Sequence, residues 1–293
     1  MKASAEPVDG GLVIVDKGSG LTSHDVVARL RRIAGTRRVG HAGTLDPAAT
    51  GVLVCGVGRA TRLLGHLLLA GKEYEATIQL GVRTSTDDAE GEVLSTRSTA
   101  GITDERIAAA VATLSGDIEQ VPSAVSAIKV GGVRAYARVR AGEDVKLDAR
   151  KVNVERFDVL ARRADALDVI VACSSGTYIR ALARDLGELL GCGGHLTALR
   201  RTRVGSFTLA DAHTLEELGQ ELTLLALGDA VGAMFARREV DDAGATDIRY
   251  GRPLPATGVP DPVGIFDSAG QVLALVQDVD GLARPLVVLH PAP

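Results

Sequence analysis

One carboxylate, Asp46, stands in the stretch Val39-Gly40-His41-Ala42-Gly43-Thr44-Leu45-Asp46-Pro47-Ala48-Ala49-Thr50-Gly51-Val52-Leu53, between a run of arginines and an apolar segment. Gly40, Gly43 and Gly51 permit positive φ and close approach of a partner backbone, and Pro47 holds the turn after the acid rigid and extended. The acid is therefore presented in a fixed direction. Residues 26–45 contain Arg29, Arg31, Arg32, Arg37 and Arg38 and no acid, which favours a polyanion lying across the loop. The loop by itself also has a plainer reading, a turn whose Asp caps a helix or bonds its own backbone, the commonest role of an Asp beside Gly and Pro.

The letters from Gly40 to Gly51 separate the two readings. They fill every fixed position of G-H-x-G-x-L-D-P-x-A-T-G, and the stretch resembles the catalytic motif of the TruB-type tRNA pseudouridine synthases. The resemblance implies an isomerase, working without cofactor or metal, that everts uridine 55 from the T-loop of tRNA and rejoins its base through C5. It makes Asp46 the catalytic carboxylate, with Gly43 and Thr44 beside the substrate. His41 becomes the side chain that fills the vacated space; a hydrogen bond within the loop is its other reading.

Further segments carry the same likeness. Lys72-Glu73-Tyr74 has the family's K-x-Y pattern, so Tyr74 is expected to stack on uracil and to help move the C5 proton, although a strand tyrosine is usually a core residue. Arg83 to Gly91 resembles R-T-x-T-x-D-x-x-G; Asp88 is there either a partner of His41 or of the flipped nucleotide's neighbours, or an ordinary turn cap. Gln120 to Lys129 resembles Q-x-P-[PS]-x-[FY]-S-A-x-K, with Val125 in place of the usual aromatic. Cys173 to Arg180 resembles C-x-x-G-T-Y-[IV]-R, which puts Tyr178 in the uracil pocket. Arg180 falls in the first turn of a helix, where a cation gains nothing from the dipole, so it needs an anionic partner. By the family pattern that partner is Asp46. Leu199 matches the position that holds the uracil, its other reading being a core leucine. Lys17 lies in a segment like D-K-P-x-G-x-[ST]-S, with Gly18 replacing Pro. With Arg37, Arg38, Lys129, Arg134, Arg138, Arg200 and Arg201 it forms the expected RNA-backbone set, which supplies salt-sensitive affinity without sequence choice.

These residues need a scaffold, and the chain has enough apolar material for one. With 293 residues, 46% of them hydrophobic, it can bury one large core and a smaller one. The expected fold is α+β, a central mixed and largely antiparallel sheet flanked by helices, followed by a small β barrel. Strands are expected at Leu12–Asp16, Val52–Val57, Lys72–Leu80, Arg150–Leu160 and Asp168–Cys173. Helices are expected from Thr22 to Ile33, Ala60 to Ala70, Thr103 to Leu114, Ala181 to Leu190 and Thr214 to Leu227. Beyond Gly228 the prolines and glycines punctuate short apolar runs, as in a PUA-type RNA-binding module. The expected domains are thus 1–228, including an RNA-closing segment at about 120–151, and 229–293.

The formal charge is −4, from 33 basic and 37 acidic residues, but it is unevenly placed. Eight acids and three arginines follow Glu239 inclusive, leaving a near-neutral body with basic patches. Three cysteines without C-x-x-C spacing argue against a disulfide framework and for a reducing compartment. Met1 to Pro7 has no apolar signal core and no run reaches membrane-spanning length, so a cytoplasmic monomer that binds the tRNA T stem-loop and no membrane is expected. Gly65 to Lys72 is misspaced for a P-loop and Glu73 replaces its Ser or Thr. An aspartyl-phosphate mechanism is disfavoured because Ala48 stands where a second Asp belongs. A non-catalytic RNA chaperone is the remaining rival.

Overall fold

The computed structural model describes residues 10–123, 129–130, 133–134 and 147–292. The chain divides into two compact units, one made of residues 1–69 and 204–293 and the other of residues 70–203.

In the first unit, strand β1 (Gly10–Lys17) pairs antiparallel with β3 (Thr50–Gly58), and β2 (Val39–Ala42) pairs with the far part of β3. Both long strands are buried on both faces, which explains their continuous apolar runs in place of alternation. The helix Ser23–Ile33 starts at Thr22 with a reciprocal capping box to Asp25 and buries Val26, Val27 and Leu30. Its place between β1 and β2 sets the direction from which the Asp46 loop is supported.

The single helix expected over 60–70 is instead a 3-10 turn, Arg59–Arg62, followed by one α turn, Leu64–Leu67. Neither start has a side-chain cap, and Gly65 weakens the middle, so leucine content alone does not sustain a longer helix. The expected helix from Thr214 to Leu227 likewise breaks. A capped helix covers Leu215–Gln220, then Leu225–Ala226 pairs with Leu12 and Gly11 on the edge of β1, and a second helix runs Leu227–Met234. Covering the exposed edge of a buried strand overrides local helix preference here.

The C-terminal part of this unit is a five-stranded sheet curled as a half barrel, in the order Ala236–Glu239, Val263–Phe266, Val272–Val279, Leu282–Val288, Leu254–Pro255. Its first pair is parallel and the others antiparallel. Ile265, Leu273, Ala274, Val276 and Ala283 form its core together with Ile248 from the helix Asp242–Arg249. That helix was not among the expected elements, although Asp241 caps it in the ordinary way.

In the second unit, β4 (Lys72–Leu80), β7 (Gly116–Gln120), β10 (Arg150–Arg163), β11 (Ala166–Cys173) and β12 (Gly194–Val204) order as β12-β4-β11-β10-β7. Between β4 and β7 lie the short paired strands β5 (Val82–Thr84) and β6 (Val93–Thr96); between β7 and β10 lie β8 (Lys129–Val130) and β9 (Val133–Arg134). Strand β4 alternates as expected, with Tyr74, Ala76, Ile78 and Leu80 inward. No described helix is long and apolar enough to cross a membrane.

The helix Ile179–Leu189 packs on this sheet through Ile179, Ala183, Leu186 and Gly187. At Gly187 the chain after the helix turns back so closely that an added Cβ would lie 2.1 Å from the Gly194 nitrogen and 2.2 Å from the Gly193 carbonyl carbon. Both neighbours are backbone and have no rotamer to change. We expect Gly187→Ala to destabilise the protein by about 3 kcal/mol, read as a lower urea midpoint; an unchanged midpoint contradicts this packing.

Candidate active site

The Asp46 loop is held from three directions inside the first unit. The Ser23 hydroxyl accepts from Leu45 N at 2.9 Å and lies 3.2 Å from the same residue's carbonyl. The Lys17 ammonium donates to the carbonyls of Gly18, Leu21 and Pro47 at 3.1, 2.7 and 3.0 Å. Gly20 N adds a bond to the Pro47 carbonyl at 2.9 Å. Gly43 and Gly51 take φ of +93° and +98°, so the loop leaves β2 and joins β3 through backbone that only glycine adopts freely. Leu45 and Ala49 point inward and Asp46 between them is half-buried. A carboxylate on so fixed a backbone can meet a ligand in one geometry.

Lys17 itself has 0% exposure, which corrects its placement in the RNA-backbone set. An ammonium enclosed by three carbonyl dipoles staples the loop and offers no surface to phosphate. His41, on β2, is half-buried beside the exposed His24, their rings edge to face with centroids 5.7 Å apart. Thr44, Arg37 and Arg38 are exposed, the two arginines just before β2 and Thr44 beyond its other end.

In the second unit Arg180 is 6% exposed, in the first turn of the helix Ile179–Leu189. Its Nη1 donates to Asp88 Oδ2 and to the Thr86 carbonyl, both at 3.1 Å. The other oxygen of Asp88 accepts from the Thr86 hydroxyl and from Glu90 N. Asp88 is therefore a turn cap through one oxygen, as one of its two readings had it, and through the other an ion-pair partner of Arg180, which neither reading named. The start of the helix has no side-chain cap of its own. Gln120 takes that role from a distance: its Oε1 accepts from Tyr178 N at 2.8 Å and its Nε2 donates to the Tyr178 carbonyl at 3.1 Å. Tyr178 and Leu199 are half-buried and Arg200 partly exposed.

Arg201 is 1% exposed, the second member of the RNA-backbone set that burial removes from phosphate contact. On the inward face of β4, Lys72 and Tyr74 lie two residues apart, 6% and 7% exposed. Burial holds the Lys72 ammonium down to about 8, and the charge of Arg201 adds to the effect. Across from it in register, burial pushes the Cys173 thiol up to about 11. The side chains of Lys129 and Arg134, and all of Arg138, lie outside the described residues. Among the described residues no three His, Cys, Asp or Glu side chains group as a metal site.

Sequence reading missed Gln120 as a helix cap and Asp87, Ser123 and Arg184 as partners in one cluster. Arg184 carried a signal, since it follows Arg180 by one helical turn and faces a loop with two consecutive acids.

Comparison with solved structures places this architecture. A crystal structure of a Cbf5–Nop10–Gar1 complex matches with a TM-score of 0.76 at 26% identity, over 96% of this chain and 85% of that one. This is the fold of a pseudouridine synthase. The profile of the TruB family pseudouridylate synthase N-terminal domain matches residues 31–179. That of the tRNA pseudouridylate synthase B C-terminal domain matches 180–230, and that of tRNA pseudouridine synthase II, C terminal, matches 235–290. A protein named tRNA pseudouridine synthase B from Arthrobacter is 57% identical over 96% of this chain and 97% of its own length. One of the same name from Nocardia farcinica is 58% identical over 96% and 94%. The chain belongs to the TruB family of pseudouridylate synthases, and it is an isomerase.

Lys72 gives the site a pH signature. Below pH 8 the proton sits on Lys72 in both folded and unfolded chains, and its burial cost is constant. From 8 toward the ordinary 10.5 the unfolded chain holds more proton, so stability rises with pH. Cys173 opposes this only above its ordinary 9. Between pH 8 and 9, therefore, the unfolding free energy of the parent should rise relative to that of Lys72→Met. Parallel urea-melt profiles for the two proteins across that interval would show that Lys72 is not held low.

Proposed function

We propose that this chain converts uridine 55 in the T-loop of tRNA to pseudouridine, with Asp46 as the carboxylate that acts on the everted nucleoside. The observation that carries the reading is the complete motif from Gly40 to Gly51 on a loop whose backbone is fixed at Leu45 and Pro47, on both sides of Asp46. The C1′–N1 glycosidic bond breaks, the base turns while it stays trapped, C1′–C5 forms, and the proton lost from C5 is balanced by one gained at N1. No redox partner is needed.

Eversion costs a few kcal/mol of unstacking, and in this reading His41 offsets it by filling the vacated space. Tyr74 stacks on the uracil and takes part in C5 proton movement, while Tyr178 and Leu199 close the pocket. Gly43 and Thr44 line the approach to Asp46. Arg180, held by Asp88, is in this reading the guanidinium that the family pattern assigns to the reacting carboxylate. Arg37, Arg38 and Arg200 hold phosphates, together with Lys129, Arg134 and Arg138 of the RNA-closing segment at about 120–151. Residues 1–228 form the synthase portion and 229–293 a PUA-like module. The protein acts on tRNA as a cytoplasmic monomer.

Asp46→Asn keeps the size of the side chain and removes its nucleophilic and basic character. Tritium release from C5-labelled T-arm RNA should fall by at least about 10³-fold, while RNA affinity changes little. Substantial release by this variant would sink the assignment and favour a protein that only remodels RNA.

A further inference from the structure

Two arginines stand one turn apart on the helix Ile179–Leu189, and two consecutive carboxylates meet them. Arg180 Nη1 donates to Asp88 Oδ2 at 3.1 Å, and Arg184 Nη1 to Asp87 Oδ2 at 3.2 Å. Neighbouring side chains of an extended chain point to opposite sides, so one face of a helix would ordinarily receive only one of them. Asp87 breaks the alternation by taking φ +59°, in the left-handed region. Asp and Asn enter that region more readily than most residues, but it persists only where surroundings hold it.

The surroundings at Asp87 are specific. Ser123, with 0% exposure, donates its hydroxyl to the same Oδ2 at 2.6 Å. Leu196 N, at the start of the strand that carries Leu199, donates to the Asp87 carbonyl at 3.0 Å. The Thr84 hydroxyl donates to the Asp88 carbonyl at 2.7 Å. Arg184 is itself tied down, through Nη2 to the Val121 carbonyl at 2.7 Å and Nε to Asp185 Oδ1 at 2.8 Å. A glycine would satisfy the backbone of position 87 alone. The carboxylate adds a link from the segment after β7 and from the helix to the turn that presents Asp88.

We propose that Asp87, held by Ser123 and Arg184, is a positioning residue for the isomerisation: it fixes the turn that aims Asp88 at Arg180. The proposal rests on the reading of Arg180 as part of the reacting site. Asp87 touches no substrate in it and acts only through the neighbouring acid.

Single-turnover tritium release, with full-length enzyme in excess over C5-labelled T-arm RNA, tests it. Asp87→Gly leaves φ free and deletes the carboxylate; the rate constant should fall about tenfold or more, with RNA affinity within about twofold of the parent. Asp87→Asn keeps both the left-handed turn and an acceptor oxygen, and should restore the rate to within about threefold. Arg184→Gln should slow the reaction similarly, and the Asp87→Gly/Arg184→Gln double variant should be no slower than the worse single. A parental rate for Asp87→Gly, or a double variant slowed by the product of the two, overturns the proposal. Should circular dichroism show Asp87→Gly unfolded, Ser123→Ala and Arg184→Gln decide it, since a parental rate in both is equally fatal. Arg180→Met in the same assay separates the two levels. If it turns over normally, the reading of the site fails; if it is slow while Asp87→Gly is fast, only the positioning role fails.

Discussion

A guanidinium buried in the first turn of a helix meets the positive end of the backbone dipole and has lost its water, so it must be given an anion. Arg180 is in that position, and Asp88 is its answer. Much of the second unit follows from keeping the two together. The loop from Thr84 to Gly91 is a tight, internally bonded turn, which keeps the Asp88 carboxylate and the Thr86 carbonyl on the guanidinium. The helix, for its part, has to begin at Tyr178 without the usual Ser, Thr or Asp cap, and Gln120 supplies both a donor and an acceptor there from a neighbouring strand.

The first unit meets the same problem with backbone carbonyls among the partners. Its buried cation, Lys17, is surrounded by the carbonyls of Gly18, Leu21 and Pro47. Because one of the three belongs to the residue after Asp46, the cation fixes the backbone on which the acid stands. Ser23 fixes the residue before it, through a hydroxyl that serves the same helix as a buried first-turn residue. Support and reactivity are thereby assigned to different side chains.

Periodicity made the regular parts legible. The alternation of Lys72 to Leu80, the capped helices at Thr22 and Thr103, and the apolar runs of β1 and β3 all form within a residue or two of where the pattern puts them. The misses have physical causes. The leucines of 60–70 have no cap and contain Gly65, and Leu225–Ala226 leaves the helical pattern to pair with an edge that local sequence does not reveal. For the candidate site, motif letters single out Asp46, Tyr74 and Arg180, but a letter carries no burial. In the sequence Lys17 and Arg201 look like any other basic residue until the fold encloses them. Similarly, Asp87 beside Asp88 reads as one more turn acid, since the left-handed conformation that turns it toward Arg184 is invisible before the chain is folded.

The three cysteines have a consequence for how this protein ages. Cys55, Cys173 and Cys192 are all outside any disulfide and enclosed, and the thiol of Cys173 releases its proton only far above neutral pH. Peroxides and alkylating reagents attack thiolates that they can reach. The native state presents neither access nor, at Cys173, the anion, so sulfur damage has to wait for a breathing motion that lets solvent in. Oxidative lesions at these positions would accordingly accumulate in proportion to the time each unit spends open, making the sulfur atoms internal clocks of its opening.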